Sequence, residues 1–212
     1  MLIVCPELTE RKYPGAEWYQ EGGIMDADGH IREKEERTFS AADRIVAEVK
    51  NRTQAAGKII LFGHSAGGQF VHRWALLGGK KNVDVIAVAN SGWFTMPDRD
   101  IDYPYGIKNV GITDEELGEA FAEPVILFMG EKDVERKPPF RDTPEADAQG
   151  MNRMERCTNY FRQCKAKAEE LRVPFRWKLE TVEGAAHQGV KMAEGAAAYI
   201  FWKSSEDGNR RV

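Results

Sequence analysis

Residues 61–70 read LFGHSAGGQF: an apolar run ends in a glycine-bounded serine and resumes as a helical pattern. The run Lys58 to Phe62 has the composition of a buried strand, and Gln69 to Leu77 has helical periodicity. Ser65 stands between them in the pentapeptide Gly63-His64-Ser65-Ala66-Gly67. A serine at such a strand-to-helix turn is forced into a sharp bend, which flanking glycines permit by letting strand and helix approach closely. Its hydroxyl then projects at the helix N-terminus, where the N–H of Ala66 can face a developing negative charge. The G-x-S-x-G spacing therefore marks Ser65 as a candidate nucleophile. The phosphate-cradling pattern G-x-x-x-x-G-K-[ST] is absent from the sequence.

Outward from this turn, strand-like and helix-like segments alternate. Leu2 to Cys5, Val83 to Ala89, Pro124 to Met129 and Phe175 to Val182 read as further strands. Helices are expected from Ser40-Ala41-Ala42-Asp43, which has capping-box form, to about Arg52, and from Gln69 to a stop at Gly78-Gly79. Two more are expected from Thr143-Pro144 to about Leu171 and from Val190 to Trp202. Residues 9–37 and the Pro- and Tyr-rich stretch after Gly92 read as long loops. The alternation predicts an α/β chain: one domain over 1–212, with a mostly parallel sheet of about five strands and helices on both faces. Sites in such sheets lie beyond the carboxyl ends of the strands, and three of those ends carry Ser65, Asp133 and His187.

Composition narrows the function. A net charge of −4 with both signs interspersed leaves no basic footprint for nucleic acid. No apolar run approaches the ~18 residues of a membrane span. The three cysteines, Cys5, Cys157 and Cys164, form no C-x-x-C pair and indicate neither a disulfide framework nor a zinc ribbon, which fits a cytoplasmic setting.

An alcohol attacks at neutral pH only with a positioned base, itself oriented by a carboxylate. Of the four histidines, His30 lies in a polar loop and His72 lies one to two turns into a helix. His64, inside the turn, points away from the serine's acceptor side. His187 lies in the small-residue turn GAAHQG after the last strand, where an imidazole can reach the sheet's carboxyl edge. It is the expected base, and activity should fall on the acid side of roughly pH 6–7 as it becomes protonated. Asp133, just past PVILFMG, is the expected orienting acid; Asp98 and Asp142 are the alternatives, Asp147 is farther off, and Glu131 is expected to be solvated. Trp93, on the edge that carries the triad, is a candidate wall for an acyl or alcohol group, with Tyr103 and His64 as further substrate contacts. Packing of Trp93 against its own loop is the equal alternative.

These residues carry a family resemblance. GHSAGGQFVHRW, ANSGWFTMPD, MGEKDV, QGMNRMERC and VEGAAHQGVKM, in that order, resemble the α/β-hydrolase superfamily, in particular the poly(3-hydroxybutyrate) depolymerase-like branch and its related esterases. The order Ser65, Asp133, His187 is that of the superfamily. The resemblance implies an acyl hydrolase acting through an acyl-serine on a small-molecule or oligomeric ester, without metal or organic cofactor. It also implies that MLIVC corresponds to the strand after the loop that normally supplies a second oxyanion donor, often His-Gly. No histidine here is followed by glycine. Three resolutions are expected: an N-terminally shortened chain, a second copy covering the exposed sheet edge, or a donor from Gly22-Gly23. A weakly active or inactive hydrolase-fold binding protein is the alternative function.

Overall fold

The computed structural model describes residues 2–53, 57–78 and 82–203. Four strands form one parallel sheet in the order β1-β2-β3-β4: β1 (Ile60–His64), β2 (Val85–Ala89), β3 (Val125–Gly130) and β4 (Lys178–Val182). His64 pairs with Ala89, Ala89 with Phe128, and Gly130 with Val182. The carboxyl ends are thus brought together, and Ser65, Asn90, Glu131 to Asp133 and the turn 183–187 all leave at one edge of the sheet.

Parallel strands covered on both faces are apolar at every position, and the two faces here have separate cores. Ile86, Val88, Val125, Leu127 and Met129 point to one face. There they pack under Phe70, Val71 and Trp74 of α3 (Ala66–Leu77), Leu117 and Phe121 of α4 (Asp114–Ala122), and Tyr160 of α6 (Arg153–Leu171). Ala87, Ala89, Ile126 and Phe128 point to the other, under Met192 and Ala196 of α7 (Gly189–Ala198) and the π-helical turn Tyr199–Lys203 that continues it. Three helices complete the set: α1 (Gly15–Tyr19), α2 (Thr38–Thr53), which adds Phe39 to the first core, and α5 (Pro144–Asp147).

Four expectations are corrected. Leu2 to Cys5 is not a strand: Leu2 and Ile3 are 65% and 70% exposed, and β1, the edge strand of the described sheet, pairs on one side only. A short apolar run forms a strand only where it pairs, and Leu2 to Cys5 pairs with no strand among the described residues. The loop after Gly92 contains α4, opened by a capping box in which the Thr113 side chain accepts from the Glu116 N–H and Glu116 accepts in return. The helical pattern from Thr143 to Leu171 is broken at Gly150, whose φ is +146°, and restarts at Asn152, which caps α6 through the Glu155 N–H. The strand expected from Phe175 begins at Lys178. Of the predicted helix stop, Gly79 lies outside the described residues, as does Met1.

The turn into α3 rests on one close approach. A Cβ at Gly63 would lie 2.6 Å from the Gly67 carbonyl carbon and 2.7 Å from Val71 Cγ2, so the strand end meets backbone that cannot rotate away. Gly67, the other glycine of the pentapeptide, has no such constraint; a Cβ there would meet only the Tyr19 hydroxyl, at 3.5 Å. Gly63→Ala is therefore expected to lose about 1–3 kcal/mol in urea denaturation, whereas Gly67→Ala stays within about 1 kcal/mol of wild type. Equal losses for the two would refute the close-approach reading.

Candidate active site

Ser65 occupies φ +55°, ψ −115°, a conformation that costs an L-residue on the order of 1–3 kcal/mol and persists only where its surroundings hold it. They do so through its own backbone: the Ser65 N–H donates to Ala89 O at 3.0 Å, and Ser65 O accepts from the Gln69 N–H at 2.9 Å. A serine at a helix N-cap ordinarily turns its hydroxyl back onto the first turn. This one makes no such cap bond; its Oγ lies 2.9 Å from His187 Nε2. His187 Nδ1 lies 2.7 Å from Asp133 Oδ2. An ionised carboxylate can only accept, so Nδ1 carries the ring proton and Nε2 is the acceptor for the serine hydroxyl. Ser65, His187 and Asp133 are thus joined in one hydrogen-bonded chain, while Asp98 and Asp142 lie outside it.

A fourth member has no counterpart in the sequence reading. Arg153 Nη1 donates to Asp133 Oδ1 at 3.2 Å, and the two side chains are 5% and 3% exposed. Arg153 also donates to Pro139 O at 2.8 Å and shares the ring of Phe140 with Arg136 and Arg156. Asp147, the remote candidate, serves this loop: it pairs with Arg136 and Arg156, and Arg156 in turn donates to Gly92 O at 2.8 Å.

Asn90 is the second residue the sequence reading missed. It is buried at φ +45°, a conformation Asn tolerates better than most residues. Its Oδ1 accepts from the Gly130 N–H at 2.7 Å and its Nδ2 donates to Ala186 O at 3.0 Å. One side chain therefore ties the end of β2 to the end of β3 and to the residue before His187. The same turn is clipped again where the Gly184 N–H donates to the carboxylate of Glu131, which is exposed, and the Lys132 N–H donates to Ala185 O. The ANSG stretch at a strand end was the available signal for Asn90; for Arg153, twenty residues beyond Asp133 and on a helix, there was none.

The His64 ring lies tilted beside that of His187, with centroids 4.8 Å apart. Burial, and then the neighbouring His187, hold its pKa down to about 4, and its Nε2 is buried without a hydrogen-bond partner. His72 is fully buried and kept neutral by burial, its Nδ1 donating to Gly68 O and its Nε2 accepting from the Thr95 N–H. His30 is exposed and sits with Asp26 and Asp28 in a turn whose carboxylate, Asp26, is engaged by the N–H groups of residues 28 and 30.

Two substrate-contact candidates are corrected. Trp93 is 1% exposed, held between the guanidinium groups of Arg73 and Arg141 and against Tyr105, so it packs within its own surroundings and lines no open wall. Tyr103 is buried and donates its hydroxyl to Glu21 O. Aromatic size and a strand-end position are equally compatible with a wall and with a lid over buried arginine. Gly22 and Gly23 are buried against Phe39 and Trp18, and the Gly23 N–H is committed to Glu17 O at 2.8 Å, so Gly23 is not a free oxyanion donor. Ala66 begins α3, and its N–H belongs to the first turn, whose donors have no intrahelical partner. Among the described residues, no helix is long and apolar enough to cross a membrane.

No protein-family model matches the chain, and no curated protein sequence does. Two solved structures are similar over most of it. Poly(aspartic acid) hydrolase-1 from Sphingomonas sp. KT-1 is 32% identical, with a TM-score of 0.87 over 92% of this chain and 75% of that one. LpqC, a poly(3-hydroxybutyrate) depolymerase from Bordetella parapertussis, is 31% identical, with a TM-score of 0.85 over 91% of this chain and 66% of that one.

The histidine beside the base gives a test by linkage. Since the folded pKa of His64 is about 4 against an ordinary 6.5, the unfolded chain takes up a proton in that window that the native one refuses. Native stability should therefore fall as pH drops from about 6.5 towards about 4, with His72 adding in the same direction. In thermal melts across this range, His64→Gln should show a shallower decline than wild type; parallel curves would show that His64 is not the group refusing the proton.

Proposed function

We propose that this chain, which belongs to the α/β-hydrolase superfamily, is a serine hydrolase that cleaves a carboxylic ester through an acyl-Ser65 intermediate. The observation that carries the reading is the hydrogen-bonded chain Ser65–His187–Asp133 at the carboxyl edge of the sheet. Ser65 Oγ attacks the ester carbonyl carbon as its proton passes to His187 Nε2. Asp133 stabilises the imidazolium through Nδ1–H and keeps the ring in the required tautomer. The carbonyl oxygen becomes an alkoxide beside the Ala66 N–H. Collapse breaks the C–O bond to the leaving alkoxide, which takes the proton from Nε2 and departs as an alcohol. Water then repeats the sequence on the acyl-serine, with His187 as base and then acid, and releases the carboxylic acid and the free serine.

Hydrolases of that name and fold act on poly(aspartic acid) and poly(3-hydroxybutyrate), which supports an oligomer or polymer of short hydroxy- or amino-acid units as the substrate class. Val134 and Val190, close in sequence to Asp133 and His187, are 50% and 74% exposed and offer apolar contact where buried Trp93 and Tyr103 do not.

A fluorophosphonate probe should label the wild-type protein at Ser65, and Ser65→Ala should abolish both labelling and ester hydrolysis, with kcat down by about 10⁴-fold or more. A folded wild type that resists the probe would make the chain a ligand-binding member of the fold rather than an enzyme. Arg153 adds a second measurement. Its guanidinium offsets the Asp133 charge felt by His187, so Arg153→Met should move the acid limb of kcat/KM to higher pH. It should also lower stability, because a buried carboxylate loses a partner, by about 3 kcal/mol. An unmoved limb would detach Arg153 from the chemistry.

A further inference from the structure

We propose that the Tyr19 hydroxyl donates to the oxyanion formed at Ser65, alongside the Ala66 N–H. The proposal rests on the serine-hydrolase reading, under which Ala66 supplies one N–H and the Gly23 N–H is already committed.

Tyr19 ends α1 and lies along α3, its ring stacked on Phe70 with centroids 5.9 Å apart and planes 17° from parallel. The segment around it is fixed on both sides. Thr38 Oγ1 donates to Trp18 O at 2.7 Å, Arg73 Nη1 donates to Gln20 O at 3.1 Å, and the Gly23 N–H closes on Glu17 O. These anchors place the hydroxyl over the first turn of α3. A methyl group on Gly67, two residues past the nucleophile, would meet the Tyr19 oxygen at 3.5 Å and nothing else beyond its own helix and chain neighbours within 4 Å. Gly63 is a glycine because backbone abuts it. Gly67 has no such reason, and its missing side chain leaves open the space between the turn and the hydroxyl.

Among the described residues the Tyr19 hydroxyl has no hydrogen-bond partner, and it is not sealed from solvent. By contrast, the Tyr103 hydroxyl donates to Glu21 O, and the Tyr105 hydroxyl bonds to Thr143 Oγ1 and accepts from Arg141 Nε. Burial pushes the Tyr19 phenol above its ordinary range, so it remains a protonated donor wherever His187 is an effective base. A fixed, protonated donor with no partner among the described residues, set over the turn that carries the serine, has the property an oxyanion hole requires, orientation in advance, and no protein acceptor to release.

The experiment compares wild type, Tyr19→Phe and Tyr19→Leu in hydrolysis of p-nitrophenyl acetate and in inhibition by phenylboronic acid, whose serine adduct carries a tetrahedral oxygen. Tyr19→Phe should lower kcat by about 10²-fold, leave KM within roughly twofold, raise the boronate Ki in parallel, and leave the melting temperature unchanged. The proposal is overturned if Tyr19→Phe keeps wild-type kcat and Ki, if its loss is confined to KM, or if Phe restores all that Leu loses, since the ring would then be the contributor. A wild type inert to both ester and fluorophosphonate refutes the serine-hydrolase reading itself, and Tyr19 with it.

Discussion

The closest backbone approach at the site, between Gly63 at the end of β1 and Gly67 in the first turn of α3, sets the geometry on which the chemistry depends. Because strand and helix meet there without side chains between them, the residue connecting them has no relaxed conformation available and Ser65 takes a positive φ. Its hydroxyl is thereby turned outward, away from the helix it would otherwise cap. The strain is offset locally by the backbone bonds of Ser65 to Ala89 and Gln69, and more broadly by the burial of α3 against the sheet. The proposed nucleophile is thus aimed by the fold, in that backbone bonds and apolar packing together hold a conformation that an L-residue does not favour.

Around this turn lies an unusual concentration of buried charge. Asp133 and Arg153 are both nearly inaccessible, and Arg73 and Arg156 are fully buried. Burying ions costs several kcal/mol each unless partners are well placed, so such groups are weak evidence for stability and better evidence for fixed geometry. Asp133 has two partners of different kinds, His187 on one oxygen and Arg153 on the other. With both oxygens engaged the carboxylate cannot rotate, and the imidazole it orients inherits that rigidity. Arg156 extends the same network to Gly92, just past the end of β2.

Much of this was legible in the chain. A glycine before a serine between an apolar run and a helical one marks the close approach, and the ends of β3 and β4 each have a candidate group within a few residues, Asp133 after Gly130 and His187 after Val182. Interactions set by three-dimensional partners were not legible. Arg153 reaches Asp133 from the helix α6, and hydropathy cannot distinguish a buried partner of a carboxylate from a solvated arginine. Leu2 to Cys5 has strand composition but no strand beside it. Trp93 follows the end of β2, but which way its ring and that of Tyr103 face depends on Arg73, Arg141 and Glu21, all distant in sequence. The helix α4 is a different case, since its capping box, Thr113 to Glu116, stands in the sequence but lay inside a stretch dominated by proline and tyrosine.

The contact between Ser65 and His187 spans 122 residues. Local folding cannot make it: the elbow, β2, β3 and the Asp133 loop can all be in place while the serine is still an ordinary alcohol. Only when β4 has paired and the turn before α7 has been clipped to Asn90 and Glu131 does the imidazole arrive. Under the proposed reading, the reactivity of Ser65 depends on the final quarter of the chain, and a molecule clipped within that quarter would keep the serine without its base.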